Sequence, residues 1–177
     1  MARLDLHPDR MLPADPGLRP LAREIYESVR DLPIISPHGH VPAQWLADDE
    51  AFTDPTSLLI TPDHYVNRLL HANGVSLDAL GVGQSAFSDE QSRDAFRLLC
   101  SHWSAYRGTP VRFWLEAELA EIFGLDIAPS AETADELYDA IAARLATPEF
   151  RPRALYERFN LDFIATTDDP CDDLRHH

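Results

Sequence analysis

Two short stretches of this chain read as strands, and they stand about 125 residues apart, where a strand–helix–strand unit needs only about 30. The first, "LPIIS" at 32–36, is a continuous apolar run containing the β-branched pair Ile34 and Ile35, and Ser36 and Pro37 close it. That pattern predicts a buried strand. The second, at 161–166, predicts a strand with Phe163, Ile164 and Ala165 as its buried core. Everything between them is helical in pattern, so the order of elements is an α/β fold with a large helical insertion after its first strand. Two strands cannot close a barrel or cover both faces of a parallel sheet, and the sequence reads as a fragment of a longer fold.

The helices announce their ends. Residues 18–30 place Leu18, Leu21, Ile25 and Val29 at helical spacing. In "TPDHYVNRLLHANG", Thr61 is the expected N-cap and Pro62 the first helical residue, with Tyr65, Val66, Leu69 and Leu70 as an apolar stripe and Gly74 as the stop. Ser88 and Gln91 form a capping box, as do Thr133 and Glu136. Thr109 and Pro110 repeat the Thr-Pro start ahead of Val111, Trp114, Leu115, Leu119 and Ile122, and Gly124 ends that run. Leu137, Ile141 and Leu145 share one face of the last long helix, which Pro148 stops.

Composition narrows the functional classes. An apolar content of 45% supports a packed core rather than disorder. Thirty acidic residues against fifteen basic ones give a net charge of −15, which repels phosphate backbones and anionic membranes. Nucleic acid and membrane are thus excluded as partners, and no apolar run is long enough to span a bilayer or serve as a leader. Cys100 and Cys171 lie far apart in no metal-binding spacing, which points to a reducing, cytoplasmic setting.

The first strand runs into "PHGH", residues 37–40. In extended backbone, side chains at i and i+2 share a side, about 7 Å apart, so His38 and His40 can converge on one metal ion. A bare His-x-His is common and also fits two surface histidines. Its place at the carboxyl end of a strand, with Gly39 permitting close backbone approach, favours the metal. Asp168 and Asp169, at the end of the second strand, are weaker candidates, and "TTDDP" reads first as a turn. His64 and Tyr65 fall in the first turn of a helix, where free N–H groups favour an anion and the Tyr65 phenol can move a proton. Their other reading is ordinary helix surface and core stripe. Phe113 and Trp114 read as packing, and His176 and His177 carry no signal.

Five stretches in order, "MLPADP", "LPIISPHGH", "TPDHYVNRLLHANGV", "FWLEAEL…IFG" and "TTDDP", resemble the uronate isomerase (glucuronate isomerase) family of the amidohydrolase superfamily. The resemblance implies the N-terminal portion of a (β/α)8 TIM-like barrel. Residues 1–41 would carry the N-terminal helix and first barrel strand, 42–159 a mostly helical insertion, and 160–177 the second strand. It implies that His38 and His40 bind a divalent metal, with zinc expected, that His40, His64 and Tyr65 contact substrate, and that Tyr65 is catalytic. The implied reaction is aldose–ketose isomerisation of D-glucuronate to D-fructuronate, and of D-galacturonate to D-tagaturonate. The implied partner is a small-molecule uronic acid, with room for a homo-oligomer. Two other readings stay open: a metal-dependent hydrolase of the same superfamily, whose two-metal form is disfavoured by a chain without lysine, and a non-catalytic helical binding module.

Overall fold

The computed structural model describes residues 3–84 and 87–177. Among these, α1 (Arg19–Val29), β1 (Ile34–Ser36), α2 (Ala43–Asp48), α3 (Pro55–Leu59), α4 (His64–Ala72), α5 (Asp89–Ser101), α6 (Pro110–Ala117), α7 (Ala134–Leu145), α8 (Pro152–Arg158) and β2 (Leu161–Ile164) follow in order. The fold mixes helices with one small sheet. It divides into a helical unit, made of the segment up to Leu6 with Phe52–Thr147, and a strand-bearing unit, His7–Ala51 with Pro148–His177.

The helical unit owes its cohesion to a continuous apolar interior. Leu70, Leu80, Ala95, Leu137, Ile141 and Leu145 are fully or almost fully buried, and each leucine or isoleucine among them gains about 1.5–3 kcal/mol from leaving water. Cys100 packs among them as an apolar group, and burial pushes its thiol up to about 12. Polar groups taken into this interior are paired. The Asp54 carboxylate caps α3 by accepting from Thr56 N and Ser57 N at 2.8 and 2.9 Å, and it also accepts from the Ser92 hydroxyl. Tyr138 donates to Ser92 Oγ at 3.2 Å and Thr56 Oγ1 to the Ser92 carbonyl at 2.6 Å, so one polar cluster ties α3, α5 and α7.

Several caps stand where the letters put them. Ser88 and Gln91 form the capping box of α5, and the Thr109 hydroxyl accepts from Arg112 N ahead of Pro110. The capping box expected at Thr133 and Glu136 is absent: Thr133 has helical backbone, and its hydroxyl faces the preceding loop, donating to Ala128 O and accepting from Ser130 N, each at 2.9 Å, rather than from the amides of α7. Helix α4 begins two residues later than expected, because Asp63 rather than Thr61 is its cap. The Thr61 hydroxyl donates instead to Leu80 O at 2.8 Å. After α6 the chain widens into a π-helical turn at Glu118–Ile122 before Gly124, whose φ of 67° ends the run.

In the strand-bearing unit β1 and β2 pair in parallel, with Ile34 opposite Leu161, Ile35 opposite Phe163 and Ser36 opposite Ile164. Each strand is two residues shorter than expected: β1 begins at Ile34 rather than Leu32, and β2 ends at Ile164 rather than Thr166. Neither strand is buried: Ile35 is 66% and Phe163 52% exposed, and the apolar stripe of α1 is largely exposed as well. The physical reason is that a parallel pair needs helical cover on both faces, and the described residues shield Ser36, Leu161 and Ile164 only in part while leaving half or more of Ile34, Ile35 and Phe163 open. Elsewhere in the unit, α8 is anchored to the end of α2. Arg153 N donates to the Asp49 carboxylate at 2.9 Å, and its guanidinium reaches the carbonyls of Leu46 and Ala47 at 2.7 and 2.9 Å.

Candidate functional site

The carboxyl ends of the two strands shape the histidine loop. Ala165 N donates to Ser36 O at 2.8 Å, extending the ladder by one bond, and Thr167 Oγ1 donates to Gly39 O at 2.8 Å. Gly39 lies so close to β2 that a Cβ there would stand 2.9 Å from the Ala165 carbonyl oxygen. A side chain at 39 would push the loop off the strand end, so glycine is required by proximity.

This bracing brings His38 and His40 together. Their Nε2 atoms are 3.0 Å apart and their rings meet nearly edge to face, with centroids at 5.0 Å. Two arrangements satisfy that distance. One imidazole can donate to the other, or both lone pairs can point at a shared cation, for which zinc–nitrogen bonds of about 2.05 Å give an N–metal–N angle of about 95°. Imidazole nitrogens are donors that a divalent ion such as zinc accepts, and a tetrahedral site would set the two about 0.3 Å further apart than they stand here. Among the described residues no group of three His, Cys, Asp or Glu side chains converges as a metal site, so the two imidazoles are the donor set found here.

His40 also lines an open cleft of about 380 Å³ with Gln44, Thr167, Asp168, Arg175 and His177. Sequence reasoning set His177 aside, yet its Nε2 lies 2.8 Å from Thr166 Oγ1 and 3.4 Å from the Asp168 carboxylate. Thr166 donates to that same carboxylate, and Asp169 accepts from Cys171 N at 2.8 Å, which makes "TTDDP" the turn its letters suggest.

His64 and Tyr65 belong to the helical unit. As the first two residues of α4 they are stacked, with ring centroids 4.1 Å apart. The expectation that free N–H groups at this helix start would hold an anion is not met. Asp63 supplies its own carboxylate to Tyr65 N at 2.7 Å and more weakly to Val66 N at 3.4 Å. Trp114, expected as packing, is 47% exposed and meets Tyr65 edge to face at 5.8 Å; Phe113 is partly exposed too. Arg68, one turn after His64, holds its guanidinium 4.8 Å from the centre of the Tyr65 ring. The spacing "HYVNR" carried that neighbourhood in plain view, since residues three and four apart share a helix face.

Glu118 carries no mark in the sequence, yet it is largely buried at the start of the π-helical turn. Burial, with the negative charge of Asp63 adding to it, pushes its carboxyl up to about 7 from 4.5. A raised acid keeps its proton longer in the folded state, so its stabilising contribution is whole below about pH 4.5 and is lost as pH rises through 7. Allowing for partial exposure, the loss is on the order of 2 kcal/mol. Glu118→Gln is therefore expected to stabilise the protein against urea by that amount at pH 8 and hardly at all at pH 4.5. Equal effects at both pH values would show that Glu118 does not titrate across this range.

The chain is similar to known proteins over nearly its whole length. The uronate isomerase of Cutibacterium acnes is 61% identical over 174 residues, covering 98% of this chain and 37% of that protein. That of Phenylobacterium zucineum is 53% identical over 175 residues, covering 98% and 36%. The crystal structure of glucuronate isomerase from Caulobacter crescentus superposes with a TM-score of 0.93 at 46% identity, covering 98% of this chain and 36% of that one. The uronate isomerase of Thermotoga maritima gives 0.82 at 27% identity, covering 97% and 35%. The chain thus spans little more than a third of the length of these relatives. The glucuronate isomerase family, UxaC, matches from Leu18 to His177. A match that runs through the histidine loop, the aromatic start of α4 and both strands places this chain in the glucuronate isomerase family.

Proposed function

We propose that this chain forms part of the active site of a uronate isomerase, an enzyme that interconverts an aldose uronate and its ketose, D-glucuronate and D-fructuronate or D-galacturonate and D-tagaturonate. The observation that carries the reading is the convergence of two imidazoles at the carboxyl ends of paired parallel strands, in a chain of this family. In this reading β1 and β2 are neighbouring strands of a (β/α)8 barrel of the amidohydrolase superfamily, and the helical unit is an insertion between them. The relatives' names, uronate isomerase and glucuronate isomerase, support the same substrate class.

The chemistry moves a proton from C2 to C1 while the two oxygens exchange theirs. His38 and His40 would hold a divalent ion, zinc being the best match to two imidazole nitrogens. When bound, such an ion supplies positive charge toward the substrate oxygens. On this reading His40 at the strand ends is a substrate-contacting group, as are His64 and Tyr65 at the start of α4, and Tyr65 holds or moves a proton at a substrate oxygen. Among the described residues no helix is long and apolar enough to cross a membrane, in keeping with an enzyme acting on small dissolved acids.

A hybrid tests the reading directly. This chain would replace the matching segment of the Cutibacterium acnes relative, of which it covers 37%. The expected result is a folded hybrid that converts D-glucuronate to its ketose. A folded hybrid with no turnover, where the unmodified relative is active, would refute the proposed function. A hybrid that instead hydrolyses ester or amide substrates would favour the metal-dependent hydrolase.

A further inference from the structure

The chain carries twice as many acidic as basic residues, and Arg23, Arg30, Arg93, Arg97 and Arg112 are all paired with carboxylates. Arg68 is different. No carboxylate of the described residues pairs with it, and the feature that holds it is the Tyr65 ring. A guanidinium laid against an aromatic face keeps its N–H donors in its own plane, where a carboxylate can take two of them at once. Tyr65 also meets the half-exposed indole of Trp114, an uncharged flat surface of the kind that packs against the C–H face of a sugar. The negative charge in this neighbourhood, Asp63 with Glu118 near it, lies at the start of α4, and Asp63 already takes the amides there. An incoming anion is steered one turn further along the helix, toward Arg68.

We propose that Arg68 is the residue that selects an acid sugar over a neutral one, receiving the substrate's carboxylate while Trp114 packs against its carbon face. The assignment rests on the uronate isomerase reading and adds to it the determinant of substrate class on the α4–α6 surface. Arg68 does not take part in the proton transfer.

The test uses the purified 177-residue chain and follows the Trp114 indole and Tyr65 amide signals by NMR as D-glucuronate or D-glucose is added. Saturable shifts with D-glucuronate at millimolar concentration, and binding of D-glucose weaker by about tenfold, are expected from one charge-assisted pair. Arg68→Met should weaken D-glucuronate by about the same factor and leave D-glucose unchanged, with Arg68→Lys in between. Trp114→Ala should weaken both sugars. Because Arg68 is exposed, an unaltered far-UV circular dichroism spectrum is expected for its variants. The proposal is overturned if Arg68→Met keeps the preference for the acid, or if the parent chain shows no saturable shift with D-glucuronate. An inactive hybrid beside intact, Arg68-dependent selection would remove the isomerase reading and leave an acid-sugar site standing.

Discussion

Substituting His38 and His40 together by alanine is expected to weaken zinc binding by the purified chain at least 100-fold, since loss of even an indirect partner of a metal ligand costs 10–100-fold. The parent should bind one zinc ion per chain. Both side chains are exposed, and the strand pair, the Thr167–Gly39 bond and the helical core are built by other groups, so these should stay in place when the imidazoles are removed. Each single variant should lose most of the affinity, because one imidazole holds an ion far less well than two. Chelator competition measures the constants, and circular dichroism verifies the fold. A His176→Ala, His177→Ala variant serves as the control for the two terminal histidines. If the double variant at 38 and 40 bound zinc as the parent does, the metal assignment would fall and the helical binding module would gain ground.

Tyr65→Phe is expected to lower kcat of the active hybrid by 100-fold or more, the usual contribution of a positioned proton-transfer group being about 10²–10⁴. KM should change little. The prediction is sharp because the substitution removes one oxygen and nothing else that the fold uses. The phenol hydroxyl makes no hydrogen bond to a described residue, whereas the ring makes three contacts: the His64 stack, the Trp114 edge and the Arg68 guanidinium. Phenylalanine keeps all three. The Asp63 cap, which acts on the Tyr65 backbone amide, is also untouched. Turnover equal to that of the parent hybrid would take Tyr65 out of the chemistry and leave it a packing residue. An effect confined to KM would make it a binding group.

Much of this could be read from the letters, and the exceptions share a cause. The strand at Ile34–Ser36 was legible from two β-branched residues in a run closed by proline, and the facing of His38 and His40 follows from strand geometry alone. Ser88, Gln91 and Thr109 cap as their spacing says, since capping is settled within four residues. Thr133 does not, because its backbone is already helical and its hydroxyl oxygen takes the Ser130 amide, and Asp63 displaced Thr61 because a carboxylate caps more strongly than a hydroxyl already engaged by Leu80. Burial was the least legible property. Ile35, Phe163 and Trp114 have core letters and exposed side chains, while Glu118 has a surface letter and a largely buried one. Periodicity reports which residues share a face, and what covers that face is decided by parts of the fold distant in sequence.

The parallel register between Ile34–Ser36 and Leu161–Ile164 also sets a timetable for a chain made from its amino end. At ordinary rates of synthesis, the partner of β1 emerges on the order of ten seconds after β1 itself. The bulk of the helical unit, complete at Thr147, can condense on local contacts within that interval. Throughout it, Ile34 and Ile35 form a short unpaired β-prone segment on the nascent chain, the kind that invites pairing with a stranger. Pro33 and Pro37 bracket it, and proline has no amide hydrogen to offer a foreign edge. The two prolines that limit β1 to three residues thus also protect the growing polypeptide until its own partner arrives.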